Sequence, residues 1–307
     1  MTARAPEQVV DPTTVRRVDP ASLRGMIGPR TAYACEACGF WQRWFASGPP
    51  PTCPVCTDYR NALPDDGFSF VTHDELDDRL TAEVAEVVPG VYEVRTRPRF
   101  GLDSVGWLLE TEVGLVGWEA AGHYHGDVLD EIRGRGGLQV LGSSHVHGFG
   151  AIHQLQDELD PAVVAVGERH LAWTKAFRPT WPVDERLELA PGLVAHVSGG
   201  HFDGHLVLHD AGRGLLFCGD ALKVDVAADG APVALSAHKA FHAQVPLSHG
   251  DVRRYRALVE QLDFDTVLTP FECVKGVTTA DVLHLFDHLL AGPPDPAPVE
   301  LAGLRRR

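Results

Sequence analysis

Four of the six cysteines form two close pairs, Cys35-Glu-Ala-Cys38 and Cys53-Pro-Val-Cys56. Each pair sets two thiolates on one tight turn, and two such turns facing each other make a tetrahedral S4 metal site. Two disulfides are the competing reading; in a reducing compartment paired thiols bind metal rather than cross-link. Histidine is unusually frequent, with 16 residues. His145-Val-His147 places two imidazoles beside Gly148 and Gly150, which let the chain bend so that both reach one ion. Gly199-Gly200-His201-Phe-Asp-Gly204-His205 puts histidines in a glycine-rich turn, and Phe217-Cys218-Gly219-Asp220 closes an apolar run on a carboxylate. Imidazoles and a carboxylate on a rigid frame suit a divalent metal that activates water. Taken singly each motif is weak: most HxH pairs bind nothing, and a Gly-Asp at a strand end is usually a turn.

The elements that must carry these residues follow from the apolar pattern. Short strands are expected over 91–94, 105–110 and 114–118 as a meander. A helix over 127–133 precedes a strand over 138–142 that runs into His145, and a helix over 151–159 precedes a buried strand over 162–166. Further strands are expected over 193–197, 206–209 and 215–217. A helix over 249–262 is capped by Ser248 with Asp251 at its third position, and another starts near Thr279 with Val282, Leu285, Phe286, Leu289 and Leu290 on its apolar face. Strands followed by helix, twice over, predict an α/β sandwich with sheets inside and helices outside.

The cysteine segment, over roughly residues 31–60, resembles rubredoxin-like zinc ribbons, including the tail domain of rubrerythrins. Rubredoxins follow both pairs with glycine; here Gly39 follows the first but Thr57 the second, which favours structural zinc over redox iron. Trp41, Trp44, Phe45 and Tyr59 are assigned to the small core of this ribbon, which needs the metal to fold. The later motifs, in this order and at these separations, resemble the metallo-β-lactamase superfamily, including glyoxalase II-like hydrolases, over about residues 84–290. That resemblance implies an αββα four-layer sandwich with a metal site at one edge of the two sheets. His145 and His147 match the first two ligands of the H-x-H-x-D-H motif, but Phe149 and Gly150 stand where its Asp and last His belong. His201 matches the ligand of the G-H-T-x-G-H turn, His205 its supporting histidine, and Asp220 the bridging carboxylate. The last ligand of the family is missing from the stretch 267–273, where Glu272 and Cys273 are substitute candidates. A subgroup that joins a zinc ribbon to this domain has H-x-H-F-Y-G and G-G-H-F-x-G; this chain follows it except that Gly148 and Phe149 replace its Phe and Tyr.

The resulting expectation is a flexible arm over 1–30, the ribbon over 31–62, a linker over 63–83, the metallo-β-lactamase-like domain over 84–292 and a tail over 293–307. The expected function is a metal-dependent hydrolase of a small ester, thioester or lactone. It would use one catalytic Zn2+ on His145, His147, His201 and Asp220, with Asp220 and His145 as catalytic residues, and a structural Zn2+ on Cys35, Cys38, Cys53 and Cys56. The alternatives are a non-haem iron oxygenase, with His145, His201 and Asp220 as a 2-His-1-carboxylate triad, and a non-catalytic metal-binding protein. His123 and His125 either face the cleft or lie in a solvated loop; His153, His238 and His242 are more remote candidates, His284 and His288 are read as exposed, and Cys218 as core packing. Lys+Arg total 27 against 42 Asp+Glu, a net charge of −15, and the basic run is Arg305-Arg306-Arg307, so nucleic acid is disfavoured. No apolar run spans a membrane and the N-terminus shows no leader pattern, so a cytoplasmic protein with a small-molecule substrate is expected. Self-association, or protein docking through the ribbon, stays open.

Overall fold

The computed structural model describes residues 30–302; residues 1–29 of the expected arm and residues 303–307, with the triple arginine, lie outside the described residues. The described chain forms two compact units: one holds 30–166 and His170–Pro182, the other Gly167–Arg169 and 183–302.

The first unit opens with a three-stranded antiparallel sheet of order β2-β1-β3, from β1 (Arg30–Cys35), β2 (Trp41–Phe45) and β3 (Phe70–Val71). The β1–β2 turn is the first cysteine pair, and Gly39 completes it at φ +74, a conformation that favours glycine. Tyr33, Phe40, Trp41 and Val55 are the buried side chains around the cysteines. Phe45 and Tyr59, expected in this core, are instead each 53% exposed. Phe45 ends an edge strand, and Tyr59 lies under the Arg60 guanidinium, 4.6 Å from the ring centre. Between the cysteine lobe and the next sheet comes α1 (His73–Asp77), which buries Leu76; the Thr72 N–H donates to Glu75 at 2.8 Å to cap it.

The main sheet of this unit has seven strands in the order β10-β9-β8-β7-β6-β5-β4. They are β4 (Thr81–Val88), β5 (Val91–Arg97), β6 (Gly106–Thr111), β7 (Gly114–Trp118), β8 (Leu138–Gly142), β9 (Val163–Gly167) and β10 (Trp181–Val183). β4 to β7 are an antiparallel meander, and β7, β8 and β9 run parallel, Gly117 opposite Leu141 and Leu141 opposite Val164. Parallel neighbours need crossover helices, supplied by α2 (Gly126–Gly134) and α3 (Ile152–Leu159). β9 is buried throughout, as parallel strands are. Glu119, His145 and His170 therefore all follow the carboxyl ends of parallel strands, the edge where α/β sheets gather chemistry.

The second unit has a six-stranded sheet of order β11-β12-β13-β14-β19-β20. Its chain order is β11 (Arg186–Ala190), β12 (Leu193–Val197), β13 (Leu206–Asp210), β14 (Leu215–Phe217), β15 (Lys223–Val226), β16 (Pro232–Ser236), β17 (His238–Ala240), β18 (Val245–Pro246), α4 (His249–Val259), β19 (Thr266–Leu268), β20 (Cys273–Lys275), α5 (Thr279–Ala291) and β21 (Val299–Glu300). Pairing in the large sheet is antiparallel except between β14 and β19, where Leu216 faces Val267. α4 stops three residues before the sequence pattern suggests, because the Leu262 N–H turns back to Val259 O at 3.0 Å. Tyr255 of α4 and Phe286 of α5 pack with tilted rings 4.9 Å apart over a core that includes Leu216 and Val267. Each unit thus has one large mixed sheet with helices beside smaller antiparallel sheets, and the chain is a mixed α/β protein with several sheets.

Candidate metal centres

The four paired cysteines are all buried and none is in a disulfide. Cys35 and Cys56 sulfurs lie 3.8 Å apart, and those of Cys38 and Cys53 3.5 Å apart. A disulfide needs about 2.05 Å, whereas a tetrahedron of thiolates about 2.3 Å from a central ion has edges near 3.8 Å. The cluster fits a tetrahedral metal and excludes the disulfide reading. Hydrogen bonds from Cys38, Cys53 and Cys56 pull the Cys35 thiol well down, and the same contacts push Cys38 up, so the thiols titrate as one group.

In the first unit, His145 and His147 follow β8 at the start of a 3₁₀ turn over Val146–Phe149, with ring centres 5.0 Å apart. His145 is fully buried. Ser144 Oγ donates to Glu119 Oε1 and lies 2.8 Å from His145 Nδ1. The hydroxyl has one hydrogen, so with Glu119 ionised it must accept from His145 Nδ1–H. That places the imidazole lone pair on Nε2. Glu119, 2% exposed and at φ +61, is a buried acid at the end of β7 that sequence reasoning did not single out. A Cβ on Gly148 would sit 2.8 Å from the Glu119 carboxyl carbon, so the missing side chain at 148 leaves its space. His147 Nε2 lies 2.9 Å from Asn61 Nδ2, a residue just beyond the second cysteine pair. Phe149 is buried edge-on against Phe177 at 5.0 Å, and so packs as core.

In the second unit, Gly199 and Gly200 take φ +65 and +86 after β12, which turns the chain so that His201 faces Asp220. A Cβ on Gly199 would come within 2.8 Å of the Arg254 guanidinium, a second reason for glycine there. His201 Nδ1 donates to His238 O at 3.3 Å, and His201 Nε2 stands 3.7 Å from Asp220 Oδ2. Both residues are buried, and Gly219, at φ +55, sets up the short turn that carries Asp220. His205 Nδ1 lies 3.0 Å from Ser198 Oγ, a supporting position. The donor chemistry of these imidazoles and the carboxylate suits a divalent ion.

The remaining histidine candidates fall elsewhere. His123 is fully buried, 2.8 Å from Asp77 Oδ1, which rules out the solvated-loop reading; burial lowers its pKa and Asp77 partly offsets this. His125 is half-buried before α2, and its Nδ1 lies 2.9 Å from Asp127 Oδ1. His153 is buried with its Nε2 2.6 Å from that of His73, and Trp41 stacks on His73 at 4.0 Å. His238 contributes its carbonyl to His201, and His242 is exposed. His288 is exposed, but His284 is half-buried on α5. Cys218 is core packing, Glu272 is exposed, and Cys273 is half-buried in β20. Burial holds the His170 pKa at about 3.

No protein-family model matches the chain. A curated relative is the uncharacterized protein YmaE of Bacillus subtilis, 27% identical over 252 residues, covering 79% of this chain and 89% of that protein. Among solved structures, the chain is similar to a metallo-β-lactamase from Pontibacter korlensis (16% identity, TM-score 0.49, 67% of this chain and 99% of that one). It is also similar to the rubredoxin oxygen:oxidoreductase of Desulfovibrio gigas (13% identity, TM-score 0.47, 68% of this chain and 62% of that one). No helix among the described residues is long and apolar enough to cross a membrane.

Proposed function

We propose that this chain is a metal-dependent hydrolase with one catalytic zinc held by His145, His147 and His201 with Asp220 beside it, and a structural zinc held by Cys35, Cys38, Cys53 and Cys56. What supports the reading is the hydrogen bonding of the three histidines within their own units. Ser144 engages Nδ1 of His145, Asn61 engages Nε2 of His147, and the His238 carbonyl engages Nδ1 of His201. An imidazole fixed through one nitrogen presents the other in a defined direction, the usual arrangement behind a histidine ligand. A zinc ion there would polarise a carbonyl oxygen and lower the pKa of water from 15.7 to about 7. Asp220, beside His201, would orient the attacking water and accept its proton. Glu119, through Ser144, would hold His145 in the tautomer that presents Nε2. Phe149 and Gly150, neither of which offers a side-chain ligand, restrict the centre to one ion. Small esters, thioesters and lactones are the substrate class.

The test is elemental mass spectrometry on the full chain purified without added metal, followed by hydrolysis of an ester, thioester, lactone and phosphodiester panel. Two zincs per chain, falling to one in His145→Ala and in His201→Ala together with loss of hydrolysis, is the expected result. Iron in place of the second zinc, with oxygen consumption, would move the assignment to an oxygenase. One zinc in every variant and no turnover would leave a metal-binding protein without catalysis.

A further inference from the structure

The contact between Asn61 and His147 joins two parts of the chain that the sequence keeps 86 residues apart. Asn61 belongs to the cysteine lobe. Its backbone N–H bonds Asp58 O at 3.0 Å, and its side-chain Nδ2 donates to Val55 O at 3.2 Å. Val55 lies between Cys53 and Cys56, so the carbonyl that holds Asn61 is part of the second thiolate turn. The lobe is in turn fastened to the rest of its unit. Trp41 Nε1 donates to Gly122 O at 2.8 Å, the Arg43 N–H to Lys175 O at 3.1 Å, and Arg43 Nε to Ala176 O at 2.6 Å. Gly101 packs so tightly on the first turn that an added Cβ would lie 2.4 Å from Gly39 N. A narrow cleft runs along this seam, and Phe40 and Val55 share its wall with Val146, His147 and Gly150.

From this placement we infer that Asn61 is a positioning residue for the catalytic centre, supplied by the cysteine lobe: it holds the His147 ring through Nε2 so that Nδ1 is the metal-facing nitrogen. The inference rests on the reading of His147 as a ligand. An asparagine amide suits both states of such a histidine. With Nδ2 toward the ring, as its bond to Val55 O holds it here, Nε2 accepts and the ring proton sits on Nδ1; with the amide turned, that bond is given up and Oδ1 accepts from Nε2–H, which is what a ligand nitrogen at Nδ1 requires. A carboxylate at 61 would serve the second state only, and an aliphatic side chain neither. Partners of this kind are worth about 10- to 100-fold in metal affinity.

The experiment is a cobalt(II) titration of the full chain, wild type beside Asn61→Leu and Asn61→Asp. The thiolate charge-transfer band reports the Cys centre, and the weaker visible bands of an imidazole and carboxylate site report the other. Asn61→Leu should weaken cobalt at the histidine centre by about tenfold or more, and Asn61→Asp should match or exceed wild type. The thiolate band should persist in all three. A histidine 15N spectrum, assigned with His147→Gln, should move the His147 proton from Nδ1 to Nε2 when zinc is added. Histidine-site affinity in Asn61→Leu within twofold of wild type would overturn the inference, as would a His147 proton on Nδ1 in the zinc-loaded chain. If Asn61→Leu loses the thiolate band, the aspartate variant and the wild-type spectrum still decide. Failure of the wild type to take cobalt outside the cysteines would count against the hydrolase assignment itself rather than against Asn61.

Discussion

The contact between half-buried His73 and buried His153 makes this protein sensitive to acid in a calculable way. Their Nε2 atoms are 2.6 Å apart, so a single N–H lies between them and at most one of the two rings can carry a charge. Burial lowers the His73 pKa from 6.5 to about 4, helped by His123 and Arg43 and opposed by Asp77; burial also holds His153 well below its ordinary value. The unfolded chain takes up the His73 proton near pH 6.5 and the folded chain only near pH 4, so the unfolded state binds more protons between those values. The stability contributed by neutral His73 is complete above pH 6.5 and is lost as pH falls toward 4. At 1.36 kcal/mol per pH unit the loss is about 3 kcal/mol. Stacking of a charged imidazole on Trp41 would return about 1 kcal/mol and leave the sign unchanged. The perturbation is His73→Phe, which keeps a ring against Trp41 and removes the proton. It costs a constant amount by leaving His153 Nε2 without His73, roughly 1–3 kcal/mol, so the slope rather than the absolute stability is the readout. Urea unfolding in excess zinc from pH 4.5 to 6.5 should show a wild-type slope steeper than that of the variant by about 1.4 kcal/mol per pH unit. Parallel lines for the two proteins would refute the assignment of a neutral His73.

Three further expectations are open to direct measurement. Cys38→Ser should abolish tetrahedral thiolate binding of cobalt and expose the cysteine lobe to protease, since a structural zinc contributes on the order of 10–16 kcal/mol to such small folds; an unchanged protease pattern would contradict a metal-dependent lobe. Glu119→Gln should lower metal affinity at the histidine centre by about 10-fold while sparing the thiolate band, because it weakens the acceptor that orients Ser144 and His145; equal affinity by cobalt titration would remove Glu119 from the centre. Gly101→Ala, at φ +59 with its Cβ 2.4 Å from Gly39 N, should destabilise the first unit by about 2 kcal/mol or more, visible as a lower melting temperature; a shift below 1 °C would mean the seam yields easily.

Much of the frame could be read from apolar runs bounded by turn residues. β7, β8, β12 and β14 begin and end where the pattern places them, because each is a short apolar run with glycine or polar residues at its borders. The Ser248 cap of α4 is equally legible: Ser248 Oγ accepts from Asp251 N at 3.1 Å. α1 was hidden because five residues give no helical periodicity, and Phe45 and Tyr59 were misplaced because residue type does not tell which side of an edge strand or turn meets water. Ligand candidates could be picked from type and spacing. Their supports could not: Asn61 meets His147 across 86 residues and Ser144 meets Glu119 across 25, and both contacts arise only when the sheet has formed. His123 shows the same limit, since its loop reads as polar yet Asp77, 46 residues earlier, makes its burial affordable.

The seam of the cysteine lobe also has a consequence for biosynthesis. Trp41 waits for Gly122, 81 residues downstream, and Arg43 for Ala176, 133 residues downstream. At a synthesis rate of about 5–20 residues per second, the lobe is out of register with its docking surface for roughly 7–27 s. Four clustered thiols without an ion are open to oxidation for that whole interval. An ion captured early and locally on the nascent chain would shield those thiols through the interval, with docking following late; starvation for the metal would then be felt first in newly made protein, while protein already folded keeps its cysteines buried.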